Sequence, residues 1–271
     1  MNWLLWAALC DVCLAGAGLL WQRARFVRRL IHFALCVAVA STVGIVTGPV
    51  LWACGRQAST NWVAGRTFYY LARVTLGVVV EIEGEEILQR ARPCVLAGNH
   101  QTMLDLIVLG RVFPAQTVIL AKKAISYYPF VGWFMRLAGD IFIARGSRQS
   151  ASDMFRRASG ELRAKDVSVW FFPEGTRGRF KAGPDMLRFK PGAFLLAYHA
   201  RVPVVPVVVM DFHSIYNRSR YWFAPGTIRV KVLEPVALDG VAEDALQTLA
   251  DSTRERMLAE LRRISPARAA H

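Results

Sequence analysis

Gly98-Asn99-His100-Gln101-Thr102-Met103-Leu104-Asp105 follows a short apolar run at residues 94–97 and precedes another at 106–109. It reads as a strand emptying into a turn and then a helix, with a base and an acid at the turn. At about 100° per residue, positions five apart on one continuous helix would lie about 140° apart, so His100 belongs just before the helix. Thr102 then serves as the cap, and Thr102-x-x-Asp105 has the spacing of a capping box, with Asp in place of the usual Glu or Gln. From that first turn the Asp105 carboxylate reaches back to one imidazole nitrogen of His100. A carboxylate there fixes the tautomer, holds the ring and supports the imidazolium that forms when the other nitrogen takes a proton. Such a pair is a general base for a hydroxyl or an amine; a helix cap beside a surface histidine is the plainer alternative at the same spacing.

Around that turn the texture is an α/β alternation. Apolar runs recur at residues 94–97, 117–121, 167–172 and 204–209, and Ile228-Arg229-Val230-Lys231-Val232 alternates. Helical patterns occupy 102–112, 124–137, 151–165 and 185–200, and 241–264 closes the domain as a charged amphipathic helix. Continuous apolar runs suit interior strands covered on both faces, and the alternating one suits an edge or half-exposed strand. The expected class is α/β, a mixed, mostly parallel sheet flanked by helices, with N-terminal membrane helices.

Upstream, residues 1–21 are apolar except for Asn2 and Asp11, long enough to span a hydrocarbon core about 30 Å thick. No basic residue precedes them, and Arg23, Arg25, Arg28 and Arg29 follow. That charge order is the reverse of a secretory signal's, so no cleavage is expected, and it puts the arginines on the cytoplasmic side. Residues 30–54 form a second apolar stretch interrupted by Gly44, Thr47, Gly48 and Pro49, which predicts a bent segment that dips into one leaflet and returns. Residues 61–80 mix Trp62, Phe68, Tyr69 and Tyr70 with Arg66 and Arg73, as an interfacial piece does, with ordinary core packing of the aromatics the plainer alternative. The chain thus divides into a hydrophobic segment and basic loop (1–29), a membrane-embedded or interfacial helix pair (30–80), an α/β domain (81–264) entered through a polar connection at 81–86, and a loose tail (265–271).

Charge and hydropathy point the same way. The 271 residues carry a formal charge of +14 with 54% apolar side chains, and mean hydropathy is +0.29. A basic balance favours nucleic acid, an anionic bilayer or phosphorylated ligands; the hydrophobicity selects the bilayer, and no nucleic acid is expected. The five cysteines, Cys10, Cys13, Cys36, Cys54 and Cys94, are scattered and odd in number, which fits a reducing, cytosol-facing domain. Ser168 and Ser214 lack a Gly-x-Ser-x-Gly turn, and neither a metal-ligand cluster nor a Gly-x4-Gly-Lys loop occurs.

Three further patches accompany the turn. Ile141-Phe142-Ile143-Ala144-Arg145 ends an apolar run with a cation. Residues 167–172 empty into Pro173-Glu174-Gly175-Thr176-Arg177-Gly178-Arg179, a turn whose backbone amides and guanidinium suit an anion. Val202-Pro203-Val204-Val205-Pro206-Val207 is a strand whose prolines place it at a sheet edge, a strand start or a bulge.

Taken together, Asn99-His100-x4-Asp105, Phe142-Ile143-Ala144-Arg145, Phe172-Pro173-Glu174-Gly175-Thr176-Arg177 and Val202-Pro203-Val204-Val205-Pro206 resemble, in order and spacing, the four blocks of the glycerolipid acyltransferases. The likeness is greatest to bacterial members that acylate lysophosphatidic acid, and it covers about residues 60 to 240. It implies His100 as general base and Asp105 as its orienting partner. It also implies Glu174, Gly175 and Thr176 in the acceptor site, Arg177 on the acceptor's phosphate, and Arg145 and Lys123 as cationic helpers, with Lys122 the alternative to Lys123. The implied donor is acyl-CoA or acyl-carrier protein, with no cofactor, no metal and no covalent enzyme intermediate. Backbone amides after His100 would hold the oxyanion. Anionic membrane lipid is a further expected partner, and the expected location is the cytoplasmic (inner) membrane, active domain facing the cytoplasm. Another lysolipid acceptor, such as lyso-ornithine lipid, and a non-catalytic anionic-lipid-binding protein are the alternatives.

Overall fold

A computed structural model describes residues 10, 11, 13, 21–143, 155, 159, 160, 162, 164–178, 180 and 183–266. The His100 turn leaves the central strand of a seven-stranded sheet. In chain order the strands are β1 (Val78–Glu83), β2 (Val95–Gly98), β3 (Thr117–Lys122), β4 (Ile141–Ile143), β5 (Ser168–Phe171) and β6 (Val204–Val209); a two-stranded hairpin, β7 (Tyr216–Asn217) and β8 (Trp222–Phe223), then precedes β9 (Gly226–Val232). The spatial order is β1-β9-β6-β2-β5-β3-β4. Strands β2 to β6 run parallel, β9 is antiparallel to β6 and β1 is parallel to β9. This is the mixed, mostly parallel sheet that the sequence pattern predicts.

Helices cover the sheet. The first, α1 (Gln22–Ala53), and the second, α2 (Ser59–Leu76), pack side by side; α2 also meets α3 (Asp105–Val112), and both touch β1. Helix α4 (Val131–Leu137) lies on α1, while α5 (Gly192–Ala200) and α6 (Leu246–Ile264) contact each other and β6. Every residue of β2, β5 and β6 is buried as a result, which is why these strands are unbroken apolar runs. Trp170, Phe189, Phe194 and Phe212 are fully buried in the core between the layers.

Several expectations are corrected. Arg23 to Arg29, read as a loop, form the first turns of α1, and that helix continues without interruption through Pro49 to Ala53. Both of its ends rest on the domain. Near the start Phe26 packs on Tyr216 and Tyr221; near the end a Cβ added at Gly44 or Gly48 would approach Phe134 or Leu137 of α4 to 3.2 Å. The outward face carries Val27, Ile31, Leu35, Val39, Val46 and Val50, all exposed. The first hydrophobic segment, residues 1–20, lies outside the described residues apart from Cys10, Asp11 and Cys13.

The sheet also begins earlier than residue 81. Left-handed Gly77 stops α2, and β1 already contains Val78 to Glu83, so the boundary set at 80/81 falls inside a strand. The helix expected over 124–137 is broken by Pro129 into a 3-10 turn and α4; that over 185–200 is only α5, since Pro191 biases the residue before it away from helix. Of the helix expected over 151–165, the described positions Phe155, Ser159, Gly160, Leu162, Ala164 and Lys165 are helical. Strand β6 is interior, not an edge. Pro206 is accommodated because β6 advances three residues between the Val204↔Val236 bridge and the Val207↔Val232 pair while its partner advances four, a β-bulge where no donor is needed.

Candidate active site

Because β2 to β6 are parallel, their carboxyl ends share one edge of the sheet. Ligands of open α/β sheets bind at that edge. His100 follows β2, Lys122 ends β3 and Lys123 follows it, Glu174 to Arg177 follow β5, and β4 ends two residues before Arg145. Topology therefore brings together segments that are far apart in sequence.

The centre of this edge is the His100–Asp105 pair. His100 Nδ1 and Asp105 Oδ2 are 2.6 Å apart, with the aspartate almost fully buried and the imidazole one-fifth exposed. The same Oδ2 accepts the backbone N–H groups of Gln101 at 2.9 Å and Thr102 at 3.1 Å. Helix α3 begins at Asp105 itself, and the Thr102 hydroxyl accepts from Leu104 N–H at 3.0 Å, so the capping box is present in shortened form. Burial pushes the Asp105 carboxyl above its ordinary value, and the bond from His100 opposes that shift. The imidazole stacks on Phe172, ring centres 4.0 Å apart. Among the described residues Nε2 has no hydrogen-bond partner, which leaves it available to a substrate. Since Gln101, Thr102 and Leu104 already direct their amides to side chains of the turn, these three are not the oxyanion donors that the sequence suggested.

The turn is braced from three sides. Glu174 is 3% exposed; its Oε1 accepts His100 N–H at 2.7 Å and its Oε2 accepts Leu187 N–H at 2.8 Å. Burial raises its pKa, and these two amides hold it back. Asn99 exchanges two hydrogen bonds with the backbone of Val209, at 2.9 and 2.8 Å, imitating a strand neighbour for β6. Gln101 donates to the carbonyls of Val209 and Met210. Gly98 is required where it stands, because a Cβ would enter the Trp170 indole.

Residues 79–210 match the family model "Acyltransferase". The chain is 34% identical to the 1-acyl-sn-glycerol-3-phosphate acyltransferase of Saccharomyces cerevisiae, over 88% of this chain and 79% of the yeast protein. It is also 34% identical to the human 1-acyl-sn-glycerol-3-phosphate acyltransferase beta, over 90% and 89% of the two chains. This chain belongs to the 1-acyl-sn-glycerol-3-phosphate acyltransferase family. Among solved structures it resembles the 1-acyl-sn-glycerophosphate (LPA) acyltransferase PlsC of Thermotoga maritima, with a TM-score of 0.64 and 26% identity over 90% of this chain and 99% of that one.

In this acyltransferase the remaining candidate residues fall into three groups. Gly175, Thr176 and Arg177 are exposed on the turn after β5, with Gly175 in the left-handed region that the turn requires. Arg177 lies near enough to oppose the burial-driven rise in the pKa values of Asp105 and Tyr216. Lys122 and Lys123 are both exposed at the end of β3. Arg145 lies outside the described residues. Glu174 is unlike the others: both carboxylate oxygens face backbone amides, which makes it a brace for His100. Asn99, Gln101, Phe172 and Leu187 complete the site without having been singled out for these contacts, because their partners are distant in sequence.

Proposed function

We propose that this acyltransferase moves a fatty acyl group from a phosphopantetheine thioester, acyl-CoA or acyl-carrier protein, to the sn-2 hydroxyl of lysophosphatidic acid, giving phosphatidic acid for phospholipid synthesis. The observation that carries this reading is the 2.6 Å His100–Asp105 bond at the carboxyl edge of the sheet, with Nε2 open. His100 Nε2 takes the proton of the acceptor hydroxyl as its oxygen attacks the thioester carbon; Asp105 stabilises the resulting imidazolium. The tetrahedral intermediate collapses, the C–S bond breaks, and the proton passes from His100 to the departing thiolate. General-base assistance of this kind is worth about 10²- to 10⁴-fold. Arg177 on its exposed turn binds the acceptor's phosphate, helped by Arg145 and Lys123. No cofactor enters the step.

The membrane supplies the acceptor. Helix α1 is long and apolar enough to cross a bilayer, yet both ends rest on the domain, so its outward stripe lies along the membrane surface, in one leaflet. This supports a membrane-held protein, which we assign to the cytoplasmic face of the inner membrane with anionic lipid beneath it. The reading is tested by acyl transfer from a labelled thioester with purified wild type and His100→Ala, offering lysophosphatidic acid and lyso-ornithine lipid in parallel. Phosphatidic acid from wild type alone supports it; transfer only to lyso-ornithine lipid removes the role given to Arg177, and equal activity of the variant removes the general base.

A further inference from the structure

A cationic cleft beside the β7–β8 hairpin takes no part in the site described above. Where α1 begins, Trp21, Gln22 and Arg23 face Arg220 and Tyr221 across a space of about 430 Å³. The cleft has built walls. Gln22 Nε2 donates to the Arg220 carbonyl at 2.9 Å, and the Arg23 guanidinium lies 4.9 Å from the centre of the Tyr221 ring. The Asn217 side chain accepts the Arg220 N–H and the Ser219 hydroxyl, and Tyr221 is held at φ +50°. A non-glycine residue in that region is strained and persists only where its surroundings fix it.

Among the described residues the charge of this cleft has no ion-pair partner: Arg23, Arg25, Arg218 and Arg220 are exposed and none forms an ion pair. Trp21, 72% exposed, and Tyr221, 44% exposed, stand at the rim, where amphipathic rings suit a headgroup region. The apolar stripe of α1 begins at Val27, directly beyond. Strand β6 ends and β9 begins at the carboxyl edge, so the hairpin between them belongs to the same end of the sheet as His100.

We propose that this cleft binds the phosphate of an anionic phospholipid of the bilayer, gripped by Arg23 and Arg220, as a site separate from the acceptor's. The proposal rests on the membrane-facing reading of α1 given above. Guanidinium forks suit the two non-bridging oxygens of a phosphodiester, whose single negative charge two of them more than neutralise, and the adjoining stripe places lipid rather than nucleic acid within reach. The bound headgroup holds the carboxyl edge of the sheet against the surface from which acceptor arrives.

Flotation of the full-length protein with vesicles of phosphatidylcholine, alone or mixed with phosphatidylglycerol, tests the proposal without depending on acyl transfer. The expected result is that Arg23→Gln/Arg220→Gln loses roughly 25-fold of the preference for anionic vesicles, about fivefold per cation at such a surface, and still binds neutral ones. Arg256→Gln/Arg262→Gln, on exposed positions of α6, controls for net charge and is expected to change the preference less than about twofold. Arg23→Lys/Arg220→Lys is expected to fall between wild type and the glutamine pair, since the charges remain and the forks do not. Equal loss in the two glutamine pairs, or no loss in the first, overturns the site. Loss of neutral-vesicle binding in wild type instead overturns the membrane reading of α1.

Discussion

Asp105→Asn isolates what the carboxylate charge contributes to the base. In a serine-protease triad the corresponding change leaves the histidine in the wrong tautomer, a loss of about 10⁴-fold. Here the neighbouring backbone prevents that. Gln101 N–H at 2.9 Å and Thr102 N–H at 3.1 Å both aim at the oxygen that meets His100, so the variant must place its carbonyl there and its NH₂ at the unpartnered Oδ1 position. Nδ1–H therefore keeps its acceptor and Nε2 remains the base. What disappears is the attraction between carboxylate and imidazolium, about 4 kcal/mol at 4 Å and an effective dielectric of 20. The amide dipole restores roughly 1 kcal/mol of it. The net, about 3 kcal/mol, predicts a fall in kcat/KM of roughly 100-fold, with KM for the acceptor little changed. Steady-state transfer assays on wild type, Asp105→Asn and His100→Ala make the comparison. A variant as inactive as His100→Ala would refute the amide-clamp argument; one as active as wild type would refute the electrostatic role of Asp105.

Glu174→Gln is expected to destabilise the fold by about 3 kcal/mol, because one of two backbone amides then meets an NH₂ group; denaturant unfolding measures it, and unchanged stability with a raised acceptor KM would mark Glu174 as a substrate ligand instead. Asp140, at the opposite end of the sheet, is buried with its pKa pushed up to about 7, although Ile119 and Asn61 donate to it. The stability it contributes is fully present below the ordinary value and is lost as pH rises through about 7, so Asp140→Asn is expected to gain about 3–4 kcal/mol on wild type between pH 4 and 8. Parallel stability–pH curves for the two proteins would contradict that. Gly98→Ala is expected to cost about 1–3 kcal/mol, since Trp170 is held between Phe113 and Phe172 and has no room to yield; an unchanged melting temperature would show that it does.

The dyad was legible because both partners lie within one turn between two apolar runs, so local spacing decides their geometry. The strand-rich centre was legible for a similar reason: strands covered on both faces have to be apolar throughout. Glu174 was not, since its partners His100 and Leu187 lie 74 and 13 positions away, and a carboxylate beside arginines resembles a substrate ligand until burial is known. Strand β1 was absorbed into the preceding aromatic segment, although Gly77 carried the stop signal. Pro191 likewise marked the true start of α5. The β7–β8 hairpin has two residues in each strand, too few for any alternation to register.

Gly65 of α2 and Gly110 of α3 meet backbone to backbone, with a Cβ on Gly65 only 3.2 Å from the Gly110 Cα. Mechanically this is a bolted joint. Packing this close has no side chain that can slide or swivel, so a load on α2 passes without slack to α3, whose first residue is Asp105. The pair of α1 and α2 and the His100 turn are therefore one stiff unit, and under the membrane-surface reading proposed for α1 the depth at which that pair settles would fix the height of His100 above the lipid.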